Sequence, residues 1–134
     1  MTQVSTVRLA IALPLGTALL ALACQPAPSA DNSSAMDKIA FDLSVLDENG
    51  LYGPGDGRRS LDYECCLPAG NPYAQAVSAI DPSAQFFSQS RGRIGCGDGQ
   101  VLAIGNSHQA NHQDILLELA NLDYIERIQS VDWE

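Results

Sequence analysis

Basic residues are scarce in this chain. Seven Lys and Arg stand against 16 Asp and Glu, a formal net charge of −9, and that balance argues against nucleic acid or an anionic membrane surface as an electrostatic partner. No GxSxG frames a nucleophile, and Ser107 beside His108 is no substitute, because sequence neighbours seldom form a nucleophile and base pair. There is no Cys-x-x-Cys, and the adjacent Cys65 and Cys66 could bond each other only through a strained ring. The acidic loop "LDENGLYGPGDG" offers Asp47, Glu48, Asn49 and Asp56, but it lacks the alternating ligands and closing Glu of an EF-hand. Together these absences point to a non-enzymatic domain that needs no cofactor.

What is present begins with a leader. Residues 1–23 carry one positive charge, at Arg8, and then run "LAIALPLGTALLALA" up to Cys24, an apolar stretch short for a membrane span and laid out like a secretory signal. Pro14 and Gly16 interrupt it, which disfavours an uncleaved anchor helix. The end of the run, "ALAC", resembles the lipobox of bacterial lipoproteins. That resemblance implies cleavage after Ala23, acyl chains such as palmitate on Cys24, and a mature protein held to a membrane by its lipid, facing the periplasm or the cell exterior. Gln25 rather than Asp after the cysteine leans, by the same resemblance, toward the outer membrane. An ordinary cleaved signal peptide and a secreted soluble protein is the alternative. After Cys24, "QPAPSADNSSAMD" is rich in Pro, Ala and Ser without an apolar period, so residues 24–36 read as a disordered tether. Residues 37–134 are then long enough for one core and too short for two.

Hydrophobic spacing predicts the elements of that domain. In "NHQDILLELANLD", Ile115, Leu116, Leu119 and Leu122 form the stripe of an amphipathic helix, with Asn111 as N-cap and Asp114 in the first turn. "NPYAQAVSAID" predicts an earlier helix capped by Asn71, with Pro72 at its start and Tyr73, Ala76, Val77 and Ile80 on one face. "SLDYECCLP" alternates with a period of two, placing Leu61, Tyr63, Cys65 and Leu67 on one face and Asp62, Glu64 and Cys66 on the other. "AQFFSQ", "QVLAIG" and "IAFDLSV" read as strands, and "YIERIQSVDW" as a strand broken by a bulge or turn. From Ser60 the order is strand, helix, strand, strand, helix, strand. That order looks like a ferredoxin-like α+β sandwich, with "IAFDLSV" and "LDENGLYGPGDGRR" adding an N-terminal strand or hairpin.

In that scheme "RGRIGCGDGQVLAIG" joins consecutive strands. Asp98-Gly99 is a hairpin signal, whereas a phosphate cradle requires a helix after its glycines. "GDG" recurs at Gly55–Gly57. Arg58 and Arg59 flank one turn and Arg91 and Arg93 the other, in a chain whose only other basic residues after the leader are Lys38 and Arg127. If the turns meet at one end of the sheet, the four arginines form a possible anion-binding spot for carboxylate or phosphate. Pairing with nearby surface acids is the plainer expectation.

Beyond Cys24 the domain has Cys65, Cys66 and Cys96, an odd number in an oxidising compartment. Alternation buries Cys65 and leaves Cys66 on the polar face, so the expected disulfide is Cys66–Cys96. "HQANH" spaces His108 and His112 four apart, but Asn111 at the cap takes them off a shared helical face, leaving them weak metal candidates. The leading functional expectation is a lipid-anchored envelope module that binds a protein or small ligand. The tail "RIQSVDWE", with Trp133, could reach a partner as an extended strand, or Trp133 could pack on the domain. A metal-binding or thiol-redox domain using Cys66, Cys96, His108 and His112 is the alternative.

Overall fold

The chain has the architecture that its strand and helix order anticipates, a mixed α+β domain in which helices cover one face of a four-stranded antiparallel sheet. In the computed structural model, Gly16 and residues 32–133 are described; the expected signal peptide apart from Gly16, the expected lipid site Cys24 and the expected tether up to Asp31 lie outside the described residues. The elements in order are α1 (Asn32–Asp37), a 3-10 turn (Leu43–Val45), β1 (Leu51–Tyr52), β2 (Arg59–Ser60), β3 (Asp62–Pro68), α2 (Asn71–Ile80), β4 (Gln85–Phe87), β5 (Gln100–Asn106), α3 (His112–Ala120) and β6 (Gln129–Val131). Among the described residues no helix is long and apolar enough to cross a membrane.

The sheet order is β4-β5-β3-β6 with every pairing antiparallel. The first and third strands of the strand-helix-strand-strand-helix-strand run therefore lie side by side at the centre, an order compatible with the ferredoxin-like sandwich. Strand β3 earns its central place by alternation: Tyr63, Cys65 and Leu67 are buried on the helix side, opposite Gly105, Ala103 and Val101 of β5. Leu116 and Leu119 of α3, Val77 of α2, and Ile125 and Ile128 complete this core. Each such aliphatic side chain contributes about 1.5–3 kcal/mol by leaving water.

One polar cluster is sealed at the rim of the core. The Tyr63 hydroxyl donates to Asp81 Oδ2, while Ser83 and the Gln109 amide donate to Asp81 Oδ1. Burial, with Asp81 adding to it, pushes the Tyr63 phenol well above its ordinary value. The Tyr63 ring lies directly across Gly105, where a Cβ would fall 2.5 Å from ring carbon Cε2 and would run into the Asp81 carboxylate. Only glycine gives the ring that space.

Several expectations about the N-terminal half need correction. "IAFDLSV" is not a strand. Ile39 makes an isolated parallel bridge to Ile128, and Asp42 Oδ1 accepts from Ser44 N–H at 2.8 Å, a local cap that turns the chain into the 3-10 segment instead. The extra hairpin is formed by β1 and β2 alone, from "LDENGLYGPGDGRR" and the Ser60 that follows it. The folded part begins at least at Asn32 rather than at residue 37, because α1 buries Ala35 and packs on α3. Helix α2 is capped by Gly70 rather than Asn71, and Asn111 caps α3 by position without a side-chain bond.

Candidate functional site

The opposite face of the sheet carries Asp62, Glu64 and Cys66 of β3, Leu102 and Ile104 of β5, Gln85 and Phe87 of β4, and Gln129 and Val131 of β6, by the registers of the pairs. No helix covers it. Instead the connection through residues 88–99 folds back over part of it. The expected turn at Asp98-Gly99 is present, closed by Gln100 N–H donating to Gly97 O at 3.2 Å with Gly99 at φ +76°, but among the described residues no non-glycine has positive φ, so it is not the primed type that joins two strands directly.

Three ties hold that connection down. The first is the expected disulfide, Cys66–Cys96, with Cα atoms 5.5 Å apart. Second, Gly92 at φ +64° is wedged onto Glu64 and Leu102, where a Cβ would meet both side chains at 2.7 Å. Third, Glu64, only 1% exposed, accepts from Ile94 N–H and from Gln129 Nε2 at 3.0 Å, so its buried carboxylate is satisfied by neutral donors. Alternation correctly puts Glu64 on the polar side, but its burial comes from a segment some 30 residues away in sequence, which no local pattern reveals.

Beyond the connection the face stays open. Trp133 is 68% exposed and Phe87 39%. The Trp133 indole N–H donates to Asp62 Oδ2 at 2.6 Å, which swings the ring back over the sheet. Two clefts result. One, of about 300 Å³, runs between Trp133 and the connection, over Leu102, Ile104 and Val131, with Arg93 at its rim. The other, of about 310 Å³, lies between Trp133 and Phe87, with Gln85, Asn106 and Asp62 along it. Such an exposed aromatic strip beside an apolar floor is the kind of surface that marks interaction sites.

Comparison with protein-family models, with curated proteins and with solved structures finds no match to this chain.

The four arginines do not assemble into one spot. Arg58 and Arg59 sit in the β1–β2 hairpin, which enters β3 at its Asp62 end, whereas the connection carrying Arg91 and Arg93 enters β5 opposite Pro68, at the other end of the strand. Arg58 pairs with Asp47 at 2.8 Å, Arg59 stacks over the Tyr52 ring, and Arg91 pairs with Asp98 at 2.7 Å. Only Arg93 reaches the open face without an acidic partner among the described residues. The Leu51 N–H, followed by that of Asn49 and the Arg58 charge, holds the Asp47 carboxyl below its ordinary range, so this part of the acidic loop is a turn knotted by its own backbone.

The metal and redox candidates are likewise dispersed. Cys66 and Cys96 are consumed by the disulfide. His108 is exposed, but His112, expected at the surface, is buried, its Nδ1 3.0 Å from Gln109 O and its Nε2 without a hydrogen-bond partner among the described residues. Among the described residues no three His, Cys, Asp or Glu side chains are placed to hold a metal ion. Cys65 is free and buried as expected; burial, with Asp81 and Glu64 adding, pushes its thiol up to about 12, far from the range of a reactive thiolate.

Proposed function

We propose that this protein is a non-enzymatic module of the cell envelope, lipid-anchored through Cys24, that binds a ligand on the open face of its sheet. The observation that supports this reading is the aromatic strip: Trp133 and Phe87 stand exposed over Ile104 on the face that the helices leave uncovered. Burying aromatic area of this kind is what anchors interfaces and small-ligand sites. The anchor rests on "ALAC", and a tethered domain whose open face is turned to the surroundings suits an accessory or binding role. Trp133 belongs to the site as a fixed wall, oriented by Asp62, rather than as an extended tail.

Photo-cross-linking in the producing cell tests this. With p-benzoylphenylalanine in place of Phe87, which keeps an aromatic ring in the cleft and leaves Trp133 on Asp62, irradiation should give one discrete adduct on protein extracted from membranes, with a mass that starts at Cys24 plus acyl chains. The same group in place of Glu118, exposed on α3 on the other side of the sheet, should give none. Equal labelling at both positions, or none at position 87, would remove the open face as a binding surface.

A further inference from the structure

The cleft between Trp133 and Phe87 has a composition that narrows the class of ligand. We infer that it takes a pyranose ring of an uncharged oligosaccharide, stacked on Trp133. This rests on the open face being the binding surface.

The platform is preorganised. The indole N–H is committed to Asp62 Oδ2 at 2.6 Å, so the ring is held in place and no rotamer has to be frozen on binding. Asp62 is fixed in turn by Asn106 Nδ2, which donates to its Oδ1 at 2.6 Å and to Ser60 Oγ at 2.9 Å. Asn106 Oδ1 accepts from His108 N–H at 2.9 Å. A rigid chain of polar groups thus runs beside the aromatic wall.

The polar capacity left over suits hydroxyl groups. A carboxylate offers about four lone-pair sites, and Asp62 uses one on each oxygen within the domain, leaving acceptor positions open. Gln85 is exposed on the same face and brings both a donor and an acceptor. Among the described residues no lysine or arginine lines this cleft, and the chain carries a net charge of −9, so the cleft offers an anionic ligand no counter-charge. A purely alkyl ligand would strip water from Asp62 and Gln85 and return no hydrogen bond, a costly exchange. A pyranose satisfies both demands: its C–H face is apolar and stacks on an indole, while its rim hydroxyls donate to Asp62 and bond the Gln85 amide. The cleft, at about 310 Å³, stands at the small end of ligand sites, matching one ring of a longer chain that runs out into solvent.

The chain's one tryptophan is the wall of this cleft, so its emission reads the site without interference. The full-length protein would be titrated with three neutral tetrasaccharides, of β-linked glucose, β-linked N-acetylglucosamine and α-linked glucose. A saturable blue shift with at least one is expected, as the sugar displaces water from the indole. Gln85→Ala and Phe87→Ala, both on the exposed side, should each weaken that response about tenfold while leaving the unfolding temperature in place. No shift with any of the three sugars, or a shift that both variants retain in full, would overturn the saccharide assignment. If cross-linking at position 87 succeeds while the sugars fail, the ligand class falls and the surface stands; if cross-linking fails as well, both fall.

Discussion

A Gly105→Ala chain is expected to lose about 3–5 kcal/mol of stability, the upper range for a single substitution, in urea unfolding followed by circular dichroism. An added methyl group has nowhere to go at this position. It would sit against the Tyr63 ring and the Asp81 carboxylate, and the strain cannot be relieved by moving either one. Tyr63 is buried in the core, and Asp81 is held by Ser83, Gln109 and Tyr63 itself. Shifting the ring would break its hydroxyl bond and leave a buried carboxylate short of a donor, which adds about 1–3 kcal/mol to the overpacking. Gly97→Ala is the matched control. Its Cβ would meet only Gln100 Oε1, at an ordinary 3.5 Å, so a change within about 0.5 kcal/mol is expected. Near-equal stability of the two variants would mean that Tyr63 does not lie across Gly105.

Removal of the staple carries the second large effect. The Cys66–Cys96 bond spans a sequence separation of 30, and replacing both cysteines by serine is expected to cost about 3–4 kcal/mol in the chain-entropy model. The loss should have a local signature as well. The Ile94 amide, which donates to buried Glu64, is expected to be protected from hydrogen exchange in the parent and to open first in the variant. Alkylation of the parent domain should label no cysteine while folded, Cys65 alone after unfolding, and Cys65, Cys66 and Cys96 after unfolding with reductant. The folded-state silence of Cys65 follows from its burial and its raised thiol. Three reactive thiols without reductant would mean that no staple exists.

Both effects arise where the sequence was only partly readable. The period of two in "SLDYECCLP" is a local signal, and it correctly separated Cys65 from Cys66 and so identified the disulfide. The stripe of Ile115, Leu116 and Leu119 marked α3 for the same reason, since all three are buried on one face. Failures came where a distant partner decides the outcome. "IAFDLSV" has strand-like residues, yet among the described residues its bridge pairing is the isolated one between Ile39 and Ile128, and capping by Asp42 prevailed over a short run without a strand partner. Residues 32–36 read as tether because one helical turn is too short to show periodicity; docking on α3 stabilises it. His112 looked like a surface group until the β1 approach was known: Gly50 lies beside it, and a Cβ there would be 3.3 Å from its ring. The open face was least legible of all. Trp133 could be read as tail or core, and only its bond to Asp62 shows that it is a fixed, exposed wall.

The proposed function puts folding and binding on opposite faces of one sheet, and thermal unfolding of a Phe87→Ser, Trp133→Ala double variant tests that division most directly. If the strip is kept for binding rather than for folding, the melting temperature should stay within about 6 °C of the parent, as expected for two surface changes in a domain of this size. A fall of about 15 °C or more would place these aromatics in the core and remove the observation on which the proposed binding surface stands.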